Sequence, residues 1–213
     1  MPAISTNGTR RDNADDEIVL AVLDVVERDM NVTQRHVASE LGIALGLANA
    51  YLKRCIRKGL IKVSEVPRRR YAYYLTPQGF TEKSRLTATY LAHSLSFFRR
   101  ARAQCGEIFA AAEARGQRQL ALVGPGDLAE IATLVAREYP VTIVGVIDPL
   151  DQAESLAAAV ATLGTVDALV ITALENPREV FAASIAAFGA ARVHAPVLLR
   201  VHPLPAPIRE AAQ

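Results

Sequence analysis

Asn49, Lys53 and Arg57 stand four residues apart, which on a helix sets their side chains along one face. Their chemistry suits the major groove of DNA. An asparagine amide pairs with adenine, a lysine ammonium with the acceptors of guanine, and an arginine near a helix end with a phosphate. Gly46 precedes them and leaves room for close approach, with Leu45 beside it. Gln34 and Arg35 in the preceding segment complete this set of candidate contacts. Downstream, Arg68, Arg69 and Arg70 crowd one short stretch, and their mutual repulsion is relieved when they neutralise phosphates. The plainer readings are a solvated helix face and a solvated run of charge.

The elements needed to hold these residues can be read around them. Thr33 to Leu41 has the pattern of a short amphipathic helix, capped by Thr33, with Val37 and Leu41 facing inward. Gly42-Ile43-Ala44 is a turn, and Leu45 to Lys58 is a second helix whose core side is Ala48, Leu52 and Cys55. Ile61 and Val63 then alternate with Lys62 and Ser64, and Tyr71, Tyr73 and Leu75 with Ala72 and Tyr74, as two strands of a hairpin require. Pro67 sets the turn and the three arginines sit at its tip. This order is that of a winged helix-turn-helix, whose second helix enters the major groove while the hairpin reaches the flanking backbone or minor groove. The competing use of such a domain is protein contact alone.

Ahead of it, residues 1–14 lack periodicity and are expected to have no fixed structure. Asp15-Asp16-Glu17 open a helix, where their charge favours the dipole, and it runs to about Asp29. After the hairpin, Thr76 caps a long helix with Pro77 at its first position, extending to about Arg115. Leu91, Leu95, Phe98, Cys105 and Phe109 form one apolar stripe on it, with a second beside it. Two stripes are too wide for a lone surface helix and predict burial against a partner, hence a homodimer through these residues.

Charge divides the chain. Residues 1–116 carry net +6 and residues 117–213 net −4, so only the first half is suited to nucleic acid. Cys55 and Cys105 have no CxxC spacing, and His36, His93, His194 and His202 form no ligand pair, so no metal site is expected. The polar first 14 residues lack the apolar stretch of a secretory signal, and no run of 18 apolar residues exists. A cytoplasmic protein without membrane contact is the expectation.

The second half alternates strands and helices, which predicts βαβ units on a parallel sheet. Strands are expected at 120–123, 141–147, 167–172 and 197–200. Gly124-Pro125-Gly126-Asp127-Leu128-Ala129 follows the first strand and opens a helix, and Asp148 closes the second strand. The plain reading is a tight strand-to-helix turn. Pro125 removes an amide donor, and Asp127 sets a negative charge where a phosphate would lie. No tyrosine has a lysine four residues on, no G-x-S-x-G or HExxH occurs, and all four lysines lie at or before Lys83. An enzyme is therefore not expected. The expected layout is a tail (1–14), a winged helix-turn-helix (15–79), a linking and dimerising helix (80–116), an α/β domain (117–202) and a tail (203–213). The fold class is mixed: α+β, then α/β.

Four resemblances sharpen these expectations. Thr33 through Leu41, Gly42-Ile43, Lys58-Gly59-Leu60-Ile61-Lys62 and Tyr73-Tyr74-Leu75-Thr76-Pro77-Gln78-Gly79 resemble winged-helix regulators of the MarR type. Arg70 to Cys105 is similar to regulators associated with exopolysaccharide and lipopolysaccharide genes. This resemblance implies a transcription regulator that binds double-stranded DNA as a homodimer through flanking helices. The run Gly124 to Ala129, with Asp148, resembles the G-x-G-x-x-A opening of a Rossmann fold. It implies a nucleotide effector, NAD(H) or a nucleotide-sugar, held by Gly124, Gly126, Asp127 and Asp148. The two halves together resemble the Rex type of redox-sensing repressor. The alternatives are a C-terminal domain that only dimerises or docks a partner and, more remotely, a nucleotide-sugar-modifying enzyme.

Overall fold

The structure is a computed structural model that describes residues 6–29, 32–66, 70–149 and 155–201. The chain divides into two units, residues 1–94 and 95–213. The first contains α1 (Thr6–Arg28), α2 (Gln34–Glu40), α3 (Leu45–Arg57), β1 (Ile61–Val66), β2 (Arg70–Leu75) and the start of α4 (Pro77–Ala114). Thr33 caps α2 as its spacing predicts, accepting a hydrogen bond from the His36 amide at 3.1 Å. α3 ends in a Schellman motif. The Leu60 amide reaches back to the Cys55 carbonyl and the Gly59 amide to that of Ile56, which requires the left-handed φ of +71° at Gly59. The core of this unit joins Val22, Leu23 and Val26 of α1, Val37 of α2, Leu52 and Cys55 of α3, and Tyr73 of β2.

α1 begins at Thr6, so Asp15-Asp16-Glu17 do not open it, contrary to the dipole reading. Residues 6–14 belong to the helix and not to an unstructured tail. Asp15 instead works across the helix pair. It accepts hydrogen bonds from the Tyr51 hydroxyl and, at 2.9 Å, from Arg54 Nη1, both on α3. These bonds hold its carboxyl below the ordinary value of 3.8, Tyr51 being the larger cause. Asp15→Asn is expected to lower the melting temperature at pH 7 by a few degrees, about 1 kcal/mol or less for a half-exposed pair. A depressed carboxylate stabilises the fold above its unfolded pKa, and that stability is lost as pH falls through the folded value. The gap between wild type and variant should hold down to pH 3.8 and close below it. Melts between pH 7 and pH 2 check this, and a gap that fails to narrow in acid overturns it.

The hairpin is antiparallel, with Ile61 opposite Leu75 and Val66 opposite Arg70. Arg68 and Arg69 lie outside the described residues, between those last two positions. At the open end of the hairpin, two of the sequence motifs prove to be halves of one lock. The Thr76 hydroxyl donates to the Gly59 carbonyl at 2.6 Å and accepts from the Gly79 amide at 3.0 Å. The Thr76 amide donates to the Leu60 carbonyl at 3.0 Å. Gly79 has no room for a side chain, since a Cβ there would stand 2.1 Å from the Leu60 carbonyl oxygen. Lys83 then pairs with Asp24 and Glu27 of α1, and Leu86 enters the core, so the first turns of α4 are fastened to this unit.

The second unit carries the remainder of α4, then β3 (Gln119–Val123), α5 (Asp127–Ala136), β4 (Thr142–Ile147), α6 (Leu156–Thr162), β5 (Ala168–Ile171), α7 (Pro177–Phe188) and β6 (Val193–His194). The strands form one parallel sheet in the order β4-β3-β5-β6. Residues 120–123 and 168–171 are fully buried, as continuous apolar runs in a sheet covered on both faces should be. The fourth strand is Val193–His194, not residues 197–200. Pro196 lacks the amide a ladder needs, residues 197–199 turn as a short 3₁₀ helix, and the Leu198 amide bonds to Gln104 Oε1.

The apolar stripe of α4 also divides differently from the expectation. Cys105 and Phe109 are sealed in the core of the second unit, Phe109 against the Tyr139 ring at 5.9 Å, so neither is available to a second chain. Gly106 lies against the Tyr139 hydroxyl. Leu91, Leu95 and Phe98 remain uncovered at 53%, 52% and 40% exposure. The helix expected as a segment of its own is thus shared between the two units, with residues 77–94 in the first and 95–114 in the second.

Candidate nucleic-acid interface

α2, the Gly42 turn and α3 set the candidate residues on the surface of the first unit. Val37, Ala48, Leu52 and Cys55 face the core, which turns Gln34 and Arg35 of α2 outward, together with Leu45, Gly46, Lys53 and Arg57 of α3. The exposed stripe of α3 runs Gly46, Ala50, Lys53, Arg57, at steps of four, three and four. Asn49 is not on it. It lies about 100° round the helix from Ala50, half-buried, and its Oδ1 is enclosed without a hydrogen-bond partner among the described residues. The predicted adenine contact through Asn49 therefore does not fit its placement. Ala50 takes the centre of the face, a position with no polar group to mark it in the sequence. An alternation of four and three residues would have found it.

Charge follows the same division. Arg54 is an internal strut, bonded to Asp15 and lying 6.0 Å over the Tyr51 ring. Three further acids of α1 are engaged in the same way: Asp16 by Arg85, and Asp24 and Glu27 by Lys83. Lys53, Arg57 and Lys62 are exposed and form no ion pair among the described residues. Lys53 and Arg57 of α3 and Lys62 of β1 are thus among the cations left to a partner. Arg70, expected at the hairpin tip, is the first residue of β2 and lies opposite Val66.

Gly46 adds a separate observation. A Cβ built on it would meet nothing within 4 Å. Glycine inside a helix costs up to about 1 kcal/mol relative to alanine, and no packing among the described residues demands it here. An absent side chain at the centre of an exposed helix face permits close approach by another molecule.

The glycine turn of the second unit has a different geometry. Gly124 has φ +110°, and a Cβ there would stand 2.3 Å from the Ala173 backbone. Its carbonyl accepts from the Thr172 hydroxyl at 2.5 Å and its amide donates to Ile147 at 2.8 Å, so it ties the ends of β3, β4 and β5 together. Gly126 has φ +113° with open space around it, and Ala129 is buried against the sheet, as in a dinucleotide turn. A cleft of about 370 Å³ lies here, where the strand order reverses between β3 and β5. Asp127, Asp148 and Glu175 all line it, and no lysine or arginine does among the described residues. With three carboxylates and Pro125 in place of an amide donor, these residues do not fit the pyrophosphate of NAD(H) or of a nucleotide-sugar. The expected cofactor contacts of Gly124, Gly126, Asp127 and Asp148 are thus brought together in space with the wrong charge.

Among the described residues, no group of histidine, cysteine, aspartate and glutamate could hold a metal ion. No described helix is long and apolar enough to cross a membrane. Comparison of the sequence with curated proteins gives no match. Residues 15–62 match the family model described as winged helix-turn-helix DNA-binding, a span that runs from the first residue of the Asp15 strut to the second residue of β1. The first unit contains a winged helix-turn-helix DNA-binding domain, and an α/β domain built on a four-stranded parallel sheet follows it.

Proposed function

We propose that the chain is a cytoplasmic transcription regulator that binds specific sites in double-stranded DNA as a homodimer. The observation that carries this reading is the uncovered face of α3: Gly46 and Ala50 without bulk, then Lys53 and Arg57 without ion-pair partners among the described residues. Such a face enters the major groove with its N-terminal residues at the base edges and its cations near phosphates. Arg68, Arg69 and Arg70 extend the contact along the backbone. A second copy meets the first along Leu91, Leu95 and Phe98 of α4, and the two-fold axis sets two recognition helices about one DNA turn apart. The acid-lined cleft favours a C-terminal unit that docks a partner or takes a ligand without phosphate. In this reading the kinship with Rex-type repressors is one of layout and not of dinucleotide sensing.

Selection of bound duplexes from a random library tests the proposal, with an enriched two-fold sequence expected. Replacing Arg68, Arg69 and Arg70 by alanine should weaken binding to all duplexes alike. It should also flatten the slope of log affinity against log salt by about 0.9 for each phosphate that is no longer neutralised. Failure to enrich any sequence, or an unchanged salt slope, overturns the assignment.

A further inference from the structure

We infer that the first two turns of α3 read the 5-methyl groups of thymine, through Leu45, Leu47 and Ala50 arranged around Gly46. The inference rests on the DNA-binding reading and adds to it the kind of base contact that sets sequence preference.

The argument starts from what the N-terminal half of the helix offers. Residues 45–50 are Leu-Gly-Leu-Ala-Asn-Ala, and the single polar side chain among them has its carbonyl oxygen turned inward. Hydrogen-bonding groups on the exposed face begin only at Lys53, two turns into the helix. Yet the N-terminal residues of a recognition helix are those that meet base edges. What they present here is apolar. Leu45 and Leu47 flank Gly46 and are exposed at 48% and 43%, although neither is needed by the core. Ala50 follows one turn on along the centre line.

The major groove has one apolar group to match, the C5-methyl of thymine. Reaching it demands depth, because the methyl lies on the groove floor. Gly46 and Ala50 supply that depth by removing bulk from the centre of the face, so that the flanking leucines can straddle the contact. The unexplained glycine and the two uncovered leucines then have a single cause. Lys53 and Arg57, further along, hold guanine or phosphate and fix the register.

The test compares two duplexes that differ only in methyl groups. The best-bound duplex from the selection is prepared with thymine, and again with uracil at every thymine of the footprint. A third duplex carries uracil only in the flanks. The full chain is expected to lose about fourfold in affinity for each methyl it covers and nothing for the flanking substitutions. Leu47→Ala should narrow the thymine-to-uracil ratio. Lys53→Ala should weaken both duplexes by the same factor. Leu47 is exposed, so its variant is expected to melt as wild type does, and the melt is recorded to verify it. Enrichment of a sequence that is bound equally with thymine or uracil overturns this inference and leaves the DNA-binding reading standing. A methyl dependence unaltered by both Leu47→Ala and Ala50→Gly also overturns it. No enrichment at all removes the DNA-binding reading and this inference together.

Discussion

Gly79→Ala is expected to destabilise the first unit by about 3 kcal/mol or more, the upper end for an added methyl with no space to enter. The new Cβ would stand 2.1 Å from the Leu60 carbonyl oxygen and 3.0 Å from its carbon. Those atoms are backbone, and the same oxygen accepts the Thr76 amide, so it cannot retreat without opening the lock between the hairpin and α4. A loss of that size should lower the melting temperature by more than about 10 °C in a unit of this length and weaken DNA binding, because the wing is anchored there. Gly46→Ala supplies the contrast. It meets nothing within 4 Å, so it should raise the melting temperature slightly through helix propensity. An unchanged melt for Gly79→Ala would show that the start of α4 is not held as described.

The second large effect concerns association. Leu95→Asp combined with Phe98→Asp should convert a dimer into a monomer and reduce affinity for a two-fold site about a hundredfold or more, the penalty for forfeiting a linked second binding event. Both side chains are uncovered in the single chain, at 52% and 40%, so the charges should leave the fold intact. This separates the variant from any change at Cys105 or Phe109, which would disrupt the interior of the second unit. Light scattering and binding to a single half-site provide the readouts. A monomeric wild type, or a double variant that still dimerises, rejects the α4 interface.

Much of the architecture was legible because it is governed by local rules. Thr33, Gly42, Gly59 and the Thr76-Pro77 pair mark helix ends by their own capping chemistry, and the apolar runs of β3 and β5, alternating with helical patterns, predict a parallel sheet. What escaped were features decided by distant partners. The apolar stripe through Cys105 and Phe109 showed that α4 needed cover, but not that the chain's own α5 region and Tyr139 would provide it. Asp15 looked like a residue for a helix dipole until α3 brought Tyr51 and Arg54 against it. The exposed side of α3 was misjudged by a single position, since two steps of four drift off a 3.6-residue helix and lead to Asn49 where the surface runs through Ala50. The glycine turn was located correctly in sequence. Only the folded cleft shows three carboxylates converging on it.

Each unit also encloses one cysteine, Cys55 in the first core and Cys105 in the second. Burial pushes both thiols up to about 11, so neither is an anionic nucleophile near neutrality. Alkylation of either must wait until the packing around it opens. The molecule therefore contains two independent chemical clocks, one timing the breathing of the DNA-binding half and the other that of the parallel-sheet half.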